Sequence, residues 1–304
     1  MHKIASCCQP IKVEPLSGWR DYWILCKPRV VLLMLFTAWI GMYLASAGTI
    51  SLSLWFSATL GIALLSGSAA TVNHVVERKS DALMERTQRR PVASGRVSPP
   101  CAWIFALILG LVGFIVLYFS VNKLTALLTL GTALGYALCY TLYLKPNTPQ
   151  NIVLGGLFGA MPPLLGWTAL RGTVDPEPLL LVLIIFAWTP AHFWALSVYR
   201  YHDYKRAAIP MLPITHGIPY TKLYILLYSI LTVASSLLVF AIGLCSWLYL
   251  TISLLLNIGL LYFTIKLYRQ ENSQLALFTF FYSMLYLFIL FLAMAADRFL
   301  LYNG

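Results

Sequence analysis

Charged residues are scarce in this sequence. Only 10% of its 304 residues are charged, whereas soluble globular proteins carry about 25%. Hydrophobic residues make up 60% of the chain and are grouped in long runs. The lack of charge excludes an ordinary soluble domain and predicts a polytopic membrane protein.

Acidic residues are the rarer charged type, with 10 Asp and Glu against 21 Lys and Arg and a net charge of +11. In a soluble protein this balance would suggest nucleic acid, but here the basic residues lie in loops between apolar runs, so we expect no nucleic-acid partner. The six cysteines form no CxxC pair and no metal-binding spacing. Nothing resembles a cleavable signal peptide, and an N-terminal stretch that is not an Arg- and Ser-rich amphipathic leader favours a bacterial membrane over a mitochondrial one.

Nine apolar segments are long enough to cross a bilayer. They lie at 29–47, 51–74, 101–121, 124–143, 150–169, 178–199, 221–243, 245–267 and 276–297. With the N-terminus placed in the cytoplasm, 18 of the 21 Lys and Arg fall on the cytoplasmic side, which predicts an external C-terminus. We expect an all-α membrane protein with a cytoplasmic or interfacial segment at 1–28 and one intramembrane domain at 29–300.

Asn73, Glu77 and Asp81 follow the second apolar segment at intervals of four residues. If the helix runs on through them, all three side chains lie on one face. Stacked carboxylates repel each other, and a divalent cation between them reverses the sign of that energy. Carboxylate and amide oxygens suit Mg²⁺, which takes further ligands from water and from a substrate phosphate. The alternative is a solvated loop of mixed charge between two membrane helices.

Several cations could meet an anionic group at this point. Arg86, Arg89 and Arg90 follow the acidic residues directly. Lys145 is the one cation on the short loop after the fourth segment. We expect it to bind a phosphate held between two acidic loops, the one with Glu77 and Asp81 and the later one with Asp203.

A second polar constellation begins inside the sixth segment. Pro190 would loosen that helix, and His192 lies eleven residues, or three turns, before Asp203. Both side chains can therefore face one cavity. The alternative for His192 is a packing residue with a hydrogen-bond partner. The Pro162–Pro163 pair predicts a break in the fifth segment, and segments 7–9 read as an apolar scaffold.

The pattern Asn73-xxx-Glu77-xxx-Asp81-Ala-xx-Met84-x-Arg86-Thr87-xx-Arg90-Pro91 resembles the first Asp-rich motif of the UbiA superfamily of intramembrane prenyltransferases. Further runs resemble the protohaem IX farnesyltransferase branch of that superfamily: Lys27-Pro28-Arg29, Thr148-Pro149-x-Asn151, Pro162-Pro163-Leu164-x-Gly166-Trp167, Trp188-x-Pro190-x-His192-Phe193-Trp194 and Asp203-Tyr204. The resemblance covers roughly residues 18–300. Glu77 stands where the superfamily usually has Asp, and Ala207 replaces a second acid after Asp203.

The resemblance implies nine helices around a central cavity and a Mg²⁺-dependent transfer of farnesyl from farnesyl diphosphate to haem b. The product would be haem O, with a hydroxyethylfarnesyl group built from one vinyl group. A haem A synthase or a terminal haem-copper oxidase is the expected protein partner. The expected place is the bacterial inner membrane, with the active site facing the cytoplasm.

The resemblance also implies roles for individual residues. The metal would be held by Asn73, Glu77 and Asp81, with Asp203 on the second acidic side. The expected diphosphate contacts are Lys27, Arg29, Arg86, Arg90, Tyr140, Lys145 and Arg206. The expected haem contacts are Trp188, His192, Phe193 and Trp194, with His192 as a candidate axial ligand.

Two other functions remain open from the residues. The first is a UbiA relative that acts on an aromatic acid, a quinone precursor or chlorophyllide. The second is a secondary transporter, although transporters place their coupling carboxylates near the bilayer midplane rather than at one face.

Overall fold

The computed structural model describes residues 18–46, 48–270 and 272–303, and every regular element in these ranges is helical. The sequence-based expectations for residues 1–17 lie outside the described residues. The helices before the midpoint are α1 Trp19–Leu25, α2 Pro28–Ala45, α3 Leu52–Val76, α4 Arg78–Asp81, α5 Pro99–Ser120 and α6 Lys123–Leu134, followed by a π-helix at Gly135–Leu144. The remaining helices are α7 Lys145–Asn147, α8 Asn151–Ala160, α9 Pro162–Arg171, α10 Pro176–Tyr199, α11 Tyr201–Arg206, α12 Leu212–Thr215, α13 Ile218–Ala241, α14 Trp247–Arg269 and α15 Ser273–Asn303.

In the described part of the chain, nine stretches are long and apolar enough to cross a membrane. They coincide with the nine segments predicted from the sequence, which confirms an all-α, multi-pass membrane protein. The fourth crossing is built from α6, the π-helix and α7. The fifth consists of α8 and α9, which meet at Met161 just before Pro162, as the proline pair predicted.

The spans contact each other closely where glycine removes a side chain. A Cβ on Gly166 would overlap the backbone of Ala38, and one on Gly41 would overlap the backbone of Pro163. These two glycines let α2 and α9 approach to backbone contact, as small residues do in membrane helix pairs. The close pair fixes α2, whose first residue directly follows Lys27.

The helices α13–α15, predicted to be an apolar scaffold, contain a buried polar network. The Asn257 amide donates to Ser236 Oγ at 3.0 Å, and the Tyr286 hydroxyl donates to Asn257 Oδ1 at 2.8 Å. The Tyr249 hydroxyl donates to the carbonyl of Ser236 at 2.9 Å. Because every member has a partner, the network joins three helices in an environment where unpaired polar groups are costly.

The polar loops after α3 and after α10 meet at one face of the molecule. Met84, from the first loop, is buried in the same apolar cluster as Tyr204, Ala207 and Ile209 from the second. Met84 is three residues from Asp81, and Tyr204 follows Asp203. The carboxylates of both loops therefore lie at the same membrane face.

Candidate active site

The Asn73, Glu77 and Asp81 side chains come together at the end of α3. The helix does not run unbroken through them: α3 ends at Val76, and α4 carries the chain on to Asp81. The spacing of four is kept, because the Asp81 backbone N–H donates to the Glu77 carbonyl at 2.8 Å. The Asn73 amide donates to Glu77 Oε1 at 2.6 Å, and all three side chains are buried.

Arg90 is the cation that joins the two carboxylates. Its Nη1 lies 2.7 Å from Asp81 Oδ2 and 3.6 Å from Glu77 Oε2. The intervening loop folds back because the Thr87 hydroxyl donates to the Asp81 carbonyl at 2.9 Å. Arg90 was predicted as a diphosphate contact, and in this structure its guanidinium pairs with the acidic residues.

Two lysines from other parts of the chain complete the cluster. Lys27 donates to Asn73 Oδ1, and Lys145 donates to Glu77 Oε1. Lys27 has a left-handed backbone (φ 50°), an uncommon conformation for a residue with a Cβ, in the bend between α1 and α2. Three cations thus surround two carboxylates at the end of α3, and the surplus of positive charge suits an anionic ligand.

The pKa values in the cluster follow from burial and from these pairs. Burial lowers the pKa of Lys27 to about 7, and the charge of Arg90 acts in the same direction. Burial alone would raise the pKa of Glu77, but the Lys145 and Lys27 ammonium groups outweigh it and lower that pKa. Burial raises the pKa of Asp81, and Arg90 only partly opposes it. Asp81 is therefore the carboxylate whose charge is less fully compensated.

The oxygen atoms present fit a hard divalent cation. Asp81 Oδ1 is buried and has no hydrogen-bond partner among the described residues, although buried polar atoms are nearly always paired. Glu77, which shares the Arg90 guanidinium with Asp81, adds a second carboxylate, and Asn73 adds an amide oxygen that accepts from Lys27. The described residues contain no group of three or more His, Cys, Asp or Glu arranged to hold a metal ion, so a cation here would need further ligands from substrate or water.

The π-helix lies beside the carboxylates and was not predicted. The Asn73 amide is 3.4 Å from the Thr141 hydroxyl, which donates to the Tyr136 carbonyl five residues back. The rings of Tyr136 and Tyr140 stack with their centroids 5.2 Å apart. A Cβ at Gly155 would overlap the Tyr140 ring. The wider turn thus presents two tyrosines at the site, and α8 makes room for them by having no side chain at Gly155.

The second polar loop supplies Asp203, a partly buried carboxylate. Its Oδ2 lies 3.4 Å from Nη1 of Arg200, a long and weak ion pair. Arg200 was not among the predicted site residues. No described contact joins Asp203 to Glu77 or Asp81, so the structure places the two acidic loops on one face without merging their carboxylates into one cluster.

Three of the predicted diphosphate contacts are not drawn into the cluster. Arg29, Arg86 and Arg206 are exposed, and none forms an ion pair with the described acidic residues. Their predicted role therefore depends on a ligand large enough to reach them.

His192 lies in a packed aromatic layer, with its ring stacked between Trp188 and Phe280 at centroid distances of 4.2 and 4.4 Å. Its Nδ1 is 2.7 Å from Ser283 Oγ, and that hydroxyl donates to the Phe280 carbonyl. The single hydroxyl proton is thus used, so Nδ1–H of His192 donates to Ser283 and Nε2 is the basic nitrogen. The cavity beside Asp203 is not lined by His192.

Two other predicted haem contacts differ in exposure. Trp194 is fully buried and packs edge-on against Tyr228 with centroids 5.4 Å apart, whereas Phe193 is 42% exposed.

His74 is a site residue that sequence reasoning missed. It is buried next to Asn73, and both of its ring nitrogens have no partner among the described residues.

Comparisons with known proteins agree with this arrangement. The model of the UbiA prenyltransferase family matches residues 34–296. A protoheme IX farnesyltransferase of Hahella chejuensis is 54% identical over 93% of this chain and 95% of its own length. A protoheme IX farnesyltransferase of Legionella pneumophila (strain Paris) is 56% identical over 92% of this chain and 96% of its own.

Two solved structures share the fold at low sequence identity. A structure of digeranylgeranylglyceryl phosphate synthase superposes with a TM-score of 0.78 at 18% identity, covering 92% of this chain and 98% of that one. A UbiA homolog from Archaeoglobus fulgidus bound to GPP and Mg²⁺ gives 0.63 at 16%, covering 91% and 99%. The family match, the identity to curated relatives and the nine-span fold agree, and the chain belongs to the UbiA prenyltransferase family.

Proposed function

We propose that this prenyltransferase transfers the farnesyl group of farnesyl diphosphate to a vinyl group of haem b and, with water, forms haem O and diphosphate. The observation that carries the proposal is the cluster of two buried carboxylates and three cations at one membrane face. This arrangement can take the head group of a substrate whose tail lies in the membrane. The naming of relatives at 54–56% identity supports haem as the acceptor.

The first task of the site is to hold the leaving diphosphate. Asn73, Glu77 and Asp81 would hold Mg²⁺, with Asp203 on the second acidic side. When bound, Mg²⁺ would supply Lewis-acid stabilisation of the charge that grows on the leaving oxygen. Asp81 Oδ1 is a buried carboxylate oxygen with no hydrogen-bond partner among the described residues, so it is available to such a cation.

The cations of the cluster have the second task. Arg90 and Lys145 now neutralise Asp81 and Glu77, so a metal taken up by these acids frees both cations to bind diphosphate oxygens. Lys27 is already next to them through Asn73. Arg29, Arg86, Arg206 and the Tyr140 hydroxyl remain proposed outer contacts of the diphosphate. Fixed cations aimed at the developing charge are a large source of rate acceleration.

The bond changes require that water reach the site late. The bond between farnesyl C1 and the diphosphate oxygen breaks, and both electrons leave with diphosphate. The π electrons of the vinyl group form the new carbon–carbon bond to C1. Water then adds its oxygen to the adjacent vinyl carbon and releases a proton. A site inside the membrane protects the allylic cation from early capture by water.

The aromatic layer on α10 is the proposed wall for the porphyrin. Trp188 and the exposed Phe193 can stack on a flat ring or face a carbocation, whereas the fully buried Trp194 can contribute only to the packing of this layer. The unprotonated Nε2 of His192 makes it a proposed haem ligand, because neutral imidazole is the form that binds iron. We place this reaction at the cytoplasmic face of a bacterial inner membrane, with haem O passing to a haem A synthase or to a terminal haem-copper oxidase.

A reconstituted assay tests the proposal. Purified protein in lipid vesicles receives haem b, farnesyl diphosphate and Mg²⁺, and the extracted haems are analysed by mass spectrometry. We expect a product heavier than haem b by one farnesyl group and one hydroxyl, and none without farnesyl diphosphate or with EDTA. Asp81→Ala should abolish the product, and Glu85→Gln, an exposed acid on the same loop, should not. Haem O formed at the normal rate by Asp81→Ala would contradict the metal assignment.

A further inference from the structure

A cavity lies at the end of α10, at the membrane face shared by the two acidic loops. Its volume is about 260 Å³, and its lining consists of Tyr199, Arg200, His202 and Asp203. No residue of the cluster around Glu77 and Asp81 lines it. The proposed function assigns a role to Asp203 alone among these four residues, so the purpose of the other three is unexplained.

The Arg200 guanidinium makes few polar contacts in this cavity. Its nearest acid is Asp203, at 3.4 Å, and its guanidinium lies 5.5 Å from the centroid of the Tyr199 ring. Its Nε is buried and has no hydrogen-bond partner among the described residues. A guanidinium offers five N–H donors in one plane, and a buried donor without an acceptor is costly. The Arg200 side chain is 41% exposed, so its Nη groups can bind a planar acceptor that enters the cavity, and the matching partner of the fork is a carboxylate.

The charge around Arg200 favours a single carboxylate over a diphosphate. Asp203 lies against the same guanidinium and offsets part of its charge, so this pair lacks the surplus of positive charge that a multiply charged anion needs, and a single carboxylate is the better match. A diphosphate has a better site in the cluster, where Lys27, Arg90 and Lys145 surround two acids. The cavity therefore complements that cluster rather than duplicating it.

Arg200, directly after the end of α10, lies where it could contact the same acceptor as the aromatic layer on that helix. His192 is eight residues before Arg200 and about 12 Å deeper along the axis of α10, which ends at Tyr199, and it belongs to the aromatic layer proposed to hold the porphyrin. Haem b is an apolar ring with two propionate groups on one edge. The aromatic layer deep on α10 matches the apolar ring of haem b, and the cation at the water-facing end of that helix matches the propionate edge.

We propose that Arg200 and the cavity beside it bind a propionate carboxylate of the tetrapyrrole acceptor and so set the orientation in which a vinyl group meets the farnesyl group. The inference rests on the proposed function, because it names the subsite for that acceptor. Arg200 is a specificity-determining residue on this account, and farnesyl diphosphate is bound independently of it.

The test compares haem b with its dimethyl ester as acceptor, at saturating farnesyl diphosphate and Mg²⁺. The ester keeps the ring and both vinyl groups and loses the carboxylate charges. For the unaltered protein we expect kcat/KM about tenfold higher for haem b than for the ester, the order expected for one partly exposed charge-assisted contact. In Arg200→Gln this ratio should fall to about one through loss of haem b activity, with the KM of farnesyl diphosphate unchanged. Arg269→Gln, an exposed cation ending α14 at the same face, should keep the ratio.

Three results would overturn the inference: an unaltered protein that uses haem b and the ester equally, an Arg200→Gln variant that keeps the preference, or a raised KM for farnesyl diphosphate in that variant. The first needs no variant, so it stands even if Arg200→Gln does not fold. Arg200→Lys, which keeps the charge and loses the fork, should recover part of the preference. An unaltered protein that prenylates neither acceptor would instead refute the proposed function.

Discussion

Replacing Arg90 by Gln removes the cation that holds the two buried acids. Arg90 lies 2.7 Å from Asp81 Oδ2 and 3.6 Å from Glu77 Oε2, and the other Asp81 oxygen has no partner among the described residues. Lys145 would still neutralise Glu77. The Asp81 carboxylate, buried and facing no other cation at contact distance, carries the cost of the substitution.

The size of that cost follows from the geometry. Removing one partner of a buried ion pair costs about 3–5 kcal/mol. The Arg90 side chain is 19% exposed, so water already screens the pair, and we expect about 3 kcal/mol at most. At about 2–4 °C per kcal/mol, Arg90→Gln should lower the melting temperature by up to about 6–12 °C in the absence of divalent metal.

Mg²⁺ should restore much of this loss. In the unaltered protein a metal must displace the guanidinium from Asp81, whereas in Arg90→Gln the carboxylate has no such competitor. At a concentration 100 times its dissociation constant, a ligand adds about 2.7 kcal/mol of stability. The increase in melting temperature on adding Mg²⁺ should therefore be larger in the variant than in the unaltered protein.

Thermal unfolding in detergent, with EDTA or with Mg²⁺, measures both effects. Arg89→Gln is the matched control, because Arg89 is an exposed arginine next in the chain whose side chain makes no described ion pair. It should leave both melting temperatures unchanged. Two results would refute the assignment of Asp81 to the metal. The first is an Arg90→Gln variant with the same melting temperature as the unaltered protein in EDTA. The second is a smaller increase in melting temperature on adding Mg²⁺ in the variant than in the unaltered protein.

Two further substitutions test the walls of the site. Gly155→Ala places a methyl group where the Tyr140 ring lies, so we expect the free energy of unfolding to fall by about 1–3 kcal/mol and haem prenylation to become slower. Gly159→Ala is the control: its methyl group would meet nothing within 4 Å, and it should change neither stability nor turnover. Unchanged melting and turnover in Gly155→Ala would show that the contact is unimportant. Ser283→Ala removes the partner of His192 Nδ1 and should lower the stability by about 1–2 kcal/mol, measured as a drop in melting temperature; an equal melting temperature would contradict the hydrogen bond.

The sequence was sufficient for features that depend on local spacing and on hydrophobic length. The nine spans follow from runs of about 20 apolar residues, and the grouping of Asn73, Glu77 and Asp81 follows from the four-residue spacing. The break at Met161 follows from the two prolines after it. Each of these needs no knowledge of a distant contact.

Other features depend on contacts that no local pattern encodes. Arg90 reaches Asp81 only because the loop between them folds back, and Lys145 reaches Glu77 from a different span. The π-helix lies in an apolar span, where no alternation of polar and apolar residues reveals the number of residues per turn. Phe280, on α15, comes from almost ninety residues away to complete the stack on His192.

Anomalous diffraction from crystals grown with Mn²⁺ and a non-hydrolysable farnesyl diphosphate analogue would locate the metal in the site. We expect an anomalous peak within coordination distance of oxygens of Glu77 and Asp81, with the diphosphate on its far side and Arg90 turned toward it. A peak at a site away from these carboxylates, or a diphosphate bound with the Arg90–Asp81 pair intact, would contradict this position of the metal.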